Sequence, residues 1–142
     1  MNNKKGFSLV ELAVAIAVIA ILILAIVGSA GMRETARVHS AANTVETLRS
    51  AAENFIASGH LDYTGMDIAA LQAVNLLPST LGTNPFGGSY VIGPVASDPT
   101  HFHIDLSALN QVQADKLRNI FQNNANSIPP YDSSASTWSV IF

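Results

Sequence analysis

Residues 4–32 read KKGFSLVELAVAIAVIAILILAIVGSAGM, a stretch that contains the longest apolar segment of the chain. Every residue from Leu12 to Val27 is apolar, and 21 uncharged residues separate Glu11 from Arg33. As a helix this gap is roughly 30 Å long, which matches the hydrocarbon core of a bilayer. The stretch therefore predicts a helix that is apolar on all sides and long enough to cross a membrane.

The charges beside the apolar run indicate its orientation. Lys4 and Lys5 precede it and favour a cytoplasmic N-terminus with translocation of the rest, although Arg33 and Arg37 on the far side oppose this tendency. Three kinds of precursor fit the pattern: a secretory protein cut near the small residues 28–30, a plain membrane anchor, and a chain cut before an apolar helix that is then retained.

Glu11 argues against the first two kinds of precursor. A carboxylate inside an apolar run costs up to a few kcal/mol near a bilayer centre, and a signal peptide or plain anchor gains nothing from it. Such a carboxylate needs a partner if it is to be kept.

Residues 4–12, KKGFSLVEL, closely resemble the processing site of type IV prepilins and pseudopilins. The resemblance implies that a membrane aspartyl peptidase cuts after Gly6, that the new N-terminal Phe7 is N-methylated, and that Glu11 is retained in the processed chain. It also implies four partners: the prepilin peptidase, the pilus assembly machinery, inner-membrane lipid before assembly, and further copies of this chain.

Charge gives Phe7 and Glu11 a role in assembly. Cleavage after Gly6 creates an α-amino cation at Phe7, and Glu11 is the available opposite charge within the same helix or in a neighbouring copy. Removing one member of such a buried pair destabilises the assembled structure by roughly 3–5 kcal/mol, because the other charge stays buried without a partner. Phe7 and Glu11 are therefore the predicted assembly residues.

The helix is predicted to continue beyond Met32 with a different pattern. Apolar residues recur there at spacings of three and four, which is typical of one face of an amphipathic helix. Gly59 is a natural stop, so the predicted helix runs from Phe7 to Ser58. The residues of the predicted face are Val38, Ala41, Val45, Leu48, Ala52 and Phe55.

The rest of the chain predicts a small domain of mixed elements. Trp138, Val140 and Phe142 share one side of an extended segment and are expected to bury against the long helix. The fold class is α+β, a long helical spine packed against a small antiparallel sheet. The predicted elements are a short helix that starts at Thr64 or Asp67, contains Ile68, Leu71, Val74 and Leu76 and ends by Pro78; strands at Ser89–Ile92, His101–Leu106 and Trp138–Phe142; and a helix at Ala108–Gln122 with Leu109, Val112, Leu117, Ile120 and Phe121 available for burial.

These elements predict four segments. They are a leader at residues 1–6, an apolar transmembrane and filament-core helix at 7–32, its amphipathic continuation at 33–58, and a globular head at 59–142.

Three short segments of the head resemble the type IVb and conjugative branch of the pilins. They are Tyr63–Gly65, Leu77–Ser79 and Asn84–Gly88. The six-residue leader and Phe7 are more similar to the type IVa branch, and the cysteine pair usual in both branches is absent. The branch therefore stays open, as does the way in which the last segment is held without a disulfide.

The sequence gives little support to other functions. The net charge is −3 and the seven basic residues are scattered, so no specific nucleic-acid partner is predicted. His101 and His103 alternate on a strand but form an incomplete metal site, and without cysteine no thiolate site is possible. No nucleophile elbow, phosphate loop or dinucleotide fingerprint is present, so neither an enzyme nor a cofactor is predicted.

The sequence thus predicts a structural subunit of an extracellular type IV pilus, held before assembly in the bacterial inner membrane with its N-terminus in the cytoplasm. One alternative is a minor pilin or a type II secretion pseudopilin. An alternative of another class is a soluble secreted binding domain with an ordinary signal peptide. Adhesion, motility, conjugation and secretion are all open as roles, and the receptor is unknown. The polar runs at 122–127 and 131–137 are expected to be solvated loops.

Overall fold

The computed structural model describes residues 8–142, apart from the side chains of residues 25 and 27–30. The chain divides into two compact units, one up to Ala36 and one from Arg37 to Phe142. The elements are α1 (Leu9–Ala57), α2 (Ile68–Ala73), β1 (Tyr90–Val95), β2 (Asp98–Leu106), α3 (Gln111–Phe121) and β3 (Trp138–Ile141).

The prediction of one long helix is confirmed over the described residues, since α1 has 49 residues and Phe7 lies outside them. Its end is set by Gly59, which has a φ of 109° and donates its N–H to the carbonyl of Ile56 at 3.0 Å. A positive φ costs glycine little because it has no Cβ. All six residues of the predicted amphipathic face are buried, and Ala42 and Ala51 join them in the core.

The short helix α2 begins at the second of its two predicted starts. Asp67 is its N-cap and accepts a hydrogen bond from the N–H of Ala70 at 2.7 Å. The inclusion of Val74 and Leu76 in this helix was wrong, because Asn75 adopts a φ of 58° and turns the chain. The N–H groups of Asn75 and Leu76 then bond back into the last turn, which is a Schellman ending before Pro78 is reached.

The sheet is antiparallel with the order β1-β2-β3, as the predicted fold class requires. All three predicted strands are present with shifted ends. β1 runs on to Val95, and β2 starts at Asp98 rather than at His101, because a two-residue turn joins them as a hairpin. The register of the hairpin is irregular next to Pro94, which has no N–H for the ladder.

Helix α3 is shorter than predicted and buries a different stripe. Asn110 is its N-cap. The Asn110 side chain accepts a hydrogen bond from the N–H of Gln113, and the Gln113 side chain accepts one from the N–H of Asn110, both at 2.9 Å. Ala108 has a φ of 64° and so lies outside the helix. Burial of Leu109, Leu117 and Phe121 is confirmed, whereas burial of Val112 and Ile120 was wrong, since both are exposed. Gln113 and Ala114 are buried beside Leu117 and Phe121.

The last segment of the chain, which contains β3, is held without a disulfide by backbone hydrogen bonds on both sides of the strand. Ile141 exchanges two backbone hydrogen bonds with Ser127, at 2.8 and 3.1 Å, on the side away from β2. Phe142 exchanges two more with Phe102 of β2, at 3.0 and 3.2 Å. Trp138 and Val140 are fully buried, as predicted, and Phe142 packs against the core while remaining partly exposed.

Asn84 fixes the loop that leads into the sheet. Its buried side chain donates to the carbonyls of Ser107 at 2.7 Å and Ser89 at 3.3 Å. Its amide oxygen accepts from the N–H groups of Phe86 at 2.9 Å and Gly88 at 3.0 Å. The side chain therefore ties this loop to the end of β2, and every donor and acceptor it carries is used.

Gly88→Ala should destabilise the head by about 3 kcal/mol or more. A Cβ at position 88 would lie 2.2 Å from the backbone oxygen of Ser107, so backbone must move to admit it. Gly82→Ala is the matched control, because a Cβ there meets nothing within 4 Å. Urea unfolding of the full chain in detergent micelles, followed by the fluorescence of Trp138, measures both variants. Equal midpoints for the two would contradict this packing.

Candidate functional site

The start of α1 places Glu11 in a local cap. The Ser8 hydroxyl oxygen accepts from the N–H of Glu11 at 3.2 Å, and the Glu11 carboxylate accepts from the N–H of Ser8 at 3.1 Å. A carboxylate is also favoured in the first turn by the partial positive charge of the helix N-terminus. Sequence reasoning missed Ser8, although the S-x-x-E spacing is the usual signal for such a cap. Gly6 and Phe7 lie outside the described residues.

The apolar side chains that follow Glu11 are exposed. Among the described side chains from Leu9 to Met32, every large apolar one has at least half of its surface exposed, from 50% at Val18 to 86% at Leu9. Apolar surface in water costs about 25 cal/mol per Å², so a face of this size needs a covering partner. In the described part of the chain, no helix is both long enough and apolar enough to cross a membrane.

A comparison with known families gives a match at the same end of the chain. The chain carries the prokaryotic N-terminal methylation motif. The family model for this motif matches residues 1–27. The motif suggests a type IV pilin-like or pseudopilin-type prepilin, a class of structural proteins. It implies membrane insertion before assembly and suggests processing by a prepilin peptidase. No curated protein matches the chain significantly.

A second candidate site lies in the head domain, in a surface cleft of about 420 Å³ that is here named the head cleft. Its lining includes three aromatic residues, of which Phe102 is buried: the ring centroids of Tyr63 and Phe102 are 4.7 Å apart, and those of Phe102 and Phe142 are 5.5 Å apart. The rest of its lining is Arg49, Glu53, Thr100, His101 and residues 123–126. Sequence reasoning missed this site, because its residues come from distant parts of the chain.

The charged groups of the head cleft are paired. The Nε of Arg49 lies 2.9 Å from Oε1 of Glu53, and the Arg49 guanidinium carbon is 4.7 Å from the ring centroid of Phe142. That distance places the cation over the ring, where the two attract each other. Burial raises the pKa of the Tyr63 phenol, and the charge of Glu53 adds to the rise while Arg49 opposes it.

The two histidines of β2 are each near an aspartate. Nδ1 of His101 lies 2.9 Å from the Asp98 carboxylate, and Nε2 of His103 lies 3.6 Å from that of Asp105. Within residues 8–142, no group of three or more His, Asp or Glu side chains could hold a metal ion.

The Asp98 carboxylate has a pKa below its ordinary value, chiefly because it accepts a hydrogen bond from the Thr100 hydroxyl, and then from the Thr100 N–H and His101. A carboxyl whose folded-state pKa is lowered stabilises the fold above its unfolded pKa, and this contribution is lost as pH falls through the folded value.

Asp98→Asn should therefore flatten the loss of stability on acidification. Between about pH 5 and pH 3 the midpoint of thermal unfolding should fall less in this variant than in the wild type. The control is Asp115→Asn, because the Asp115 carboxylate accepts one side-chain hydrogen bond, from Gln111, on the exposed surface of α3. Identical pH profiles for Asp98→Asn and the wild type would show that the Asp98 carboxylate does not contribute to the loss of stability in acid.

Proposed function

We propose that the chain is a structural subunit of a type IV pilus filament, assembled through the first half of α1. The observation that carries this proposal is the contrast along α1: the described large apolar side chains are exposed up to Met32, and a single stripe is buried from Val38 to Phe55. The exposed part needs to be covered by something outside the chain. The methylation motif at the same end supports a filament of pilin-like subunits, in which further copies of the chain cover it.

The proposed precursor is held by residues 7–32 as a single span of the bacterial inner membrane, with its N-terminus in the cytoplasm. Prepilin peptidase cuts it after Gly6, and Phe7 becomes the methylated terminus. The assembly machinery then moves it into the filament, where α1 helices of neighbouring copies replace the lipid. The head domain faces outward and carries the contacts with the surroundings.

The cap at the start of α1 supports a role for Glu11 after cleavage. Its carboxylate already accepts a hydrogen bond from the N–H of Ser8, next to the residue that would become the terminus. The new amine of Phe7 is a cation, and a charge-assisted hydrogen bond is roughly twice as strong as a neutral one. Glu11 of the same or an adjacent copy would therefore neutralise Phe7 in an apolar filament core.

Glu11→Gln tests this pairing with little change in side-chain shape. The variant should still be processed and inserted, because the cleavage site is intact, but filament yield should fall by about tenfold or more as Phe7 loses its counter-charge. Immunoblots of sheared surface fractions, normalised to the processed chain in the cells, measure the yield.

Glu46→Gln is the matched control, because Glu46 is an exposed carboxylate of the same helix beyond the apolar half. It should assemble as the wild type does. A wild-type filament yield from Glu11→Gln would contradict the proposed pairing of Glu11 with Phe7. An equal loss of yield in both variants would show that the loss is not specific to the apolar half of the helix.

The resemblance of the head to the type IVb and conjugative branch supports a pilin of that kind, and the major or minor role is separate from it. A minor pilin or a secretion pseudopilin would share the processing and the α1 contacts, but it would be scarce and would prime or cap a short filament. Subunit abundance and filament length in electron micrographs distinguish these roles.

A further inference from the structure

Two arginines follow the apolar half of α1. Arg33 and Arg37 are four residues apart, so helix geometry places them on neighbouring turns of the same side of α1. Both side chains are exposed. They are here called the arginine pair, and the proposed assembly through the first half of α1 does not use them.

The arginine pair has no partner within the chain. Among residues 8–142, neither guanidinium forms a salt bridge or a hydrogen bond. Glu34 is the nearest carboxylate in sequence, but its buried Oε1 has no hydrogen-bond partner among the same residues, so it is not paired with either arginine. No Asp or Glu occurs in residues 1–7 or 25–30. The pair therefore presents two positive charges that nothing in the chain neutralises.

The position of the arginine pair matches the headgroup layer of a bilayer. The 21 uncharged residues from Leu12 to Met32 make a helix of about 32 Å, about the thickness of the hydrocarbon core. The polar layer outside that core is about 5–8 Å thick on each side. Arg33 follows the uncharged run directly, and Arg37 lies about 6 Å further along the helix. Both arginines therefore fall within the polar layer when the proposed span is inserted.

The anions of this layer are the phosphate groups of the phospholipids. A guanidinium suits them because it donates two parallel hydrogen bonds to one phosphate. With Lys4 and Lys5 in the cytoplasm, the arginine pair lies on the translocated side and opposes that orientation. Contacts with phosphate in the outer leaflet would offset this opposition.

A second copy of the chain fits the arginine pair less well. Copies held in one membrane lie at the same depth, so the α1 carboxylate at the level of the pair is Glu34 of the neighbour. Glu34 is partly buried, and the next carboxylate of α1, Glu46, is about 14 Å beyond Arg37. Lipid phosphate lies at the level of the pair without any such displacement.

We propose that the arginine pair binds the phosphate groups of anionic phospholipids in the outer leaflet of the inner membrane. These contacts fix the depth of the precursor before assembly. The inference rests on the proposed membrane-held precursor and does not depend on the filament.

The test is solid-state NMR of the full chain, with ¹³C-labelled arginine, in vesicles of phosphatidylcholine and phosphatidylglycerol and in a buffer without phosphate. The chain has four arginines, and Arg49 and Arg118, which have partners in the head, are internal controls. Dephasing by the lipid ³¹P nuclei should reduce the guanidinium signals of Arg33 and Arg37 and leave those of the two controls unchanged. Single Arg→Lys variants assign the four signals.

A double variant, Arg33→Gln with Arg37→Gln, measures the strength of the contacts. When the chain is released from mixed-lipid nanodiscs into a mass spectrometer, this variant should retain about tenfold to thirtyfold less phosphatidylglycerol than the wild type. The control, Lys116→Gln with Arg118→Gln, removes the same charge from the head and should retain as much as the wild type does. Unchanged Trp138 fluorescence confirms that each variant is folded.

Resistance to alkaline extraction shows whether the chain is inserted in the vesicles. A chain that is not inserted would overturn both this inference and the proposed membrane-held precursor. An inserted chain without dephasing at the arginine pair, or with equal dephasing at all four arginines, would overturn the phosphate contacts alone. Wild-type lipid retention by the Arg33 and Arg37 variant, or pairing of these arginines with carboxylates of a second copy, would also overturn them.

Discussion

Burial of one stripe of α1, from Val38 to Phe55, is the interaction on which the rest of the head domain depends. Three strands and two short helices have little core of their own, and a small sheet needs a hydrophobic partner for stability. The stripe supplies that partner with residues that are all but fully buried. At the edge of the sheet, β3 pairs with β2 on one side and with Ser127 on the other. This pairing holds the last segment of the chain, which a disulfide holds in the pilins that this chain resembles.

Much of this fold could be predicted because its signals are local. The helix stripe, the stop at Gly59 and the cap of α2 depend on spacing and on single residues. The structure has the stripe and the stop as expected, and it has the second of the two predicted caps, Asp67. The errors arose where backbone conformation overrode pattern. Asn75 and Ala108 adopt positive φ values that periodicity does not indicate, and α3, capped at Asn110, buries a stripe that leaves Val112 and Ile120 exposed.

The two candidate sites differ in how visible they are in sequence. The N-terminal one is a continuous motif, so its residue types and spacing are sufficient to identify it, and the family comparison falls on the same residues. The head cleft brings together Arg49, Tyr63, His101 and the loop after α3, which are far apart in the chain. Their proximity is a product of sheet register and core packing, and neither could be read from spacing.

The central claim is that the apolar half of α1 is retained in the mature protein as its means of assembly. Intact mass and N-terminal sequencing of the chain recovered from cell surfaces test this most directly. We expect a terminus at Phe7 that carries one methyl group. A mature terminus near Gly31 would remove the apolar half altogether, and would make the protein a secreted domain rather than a filament subunit.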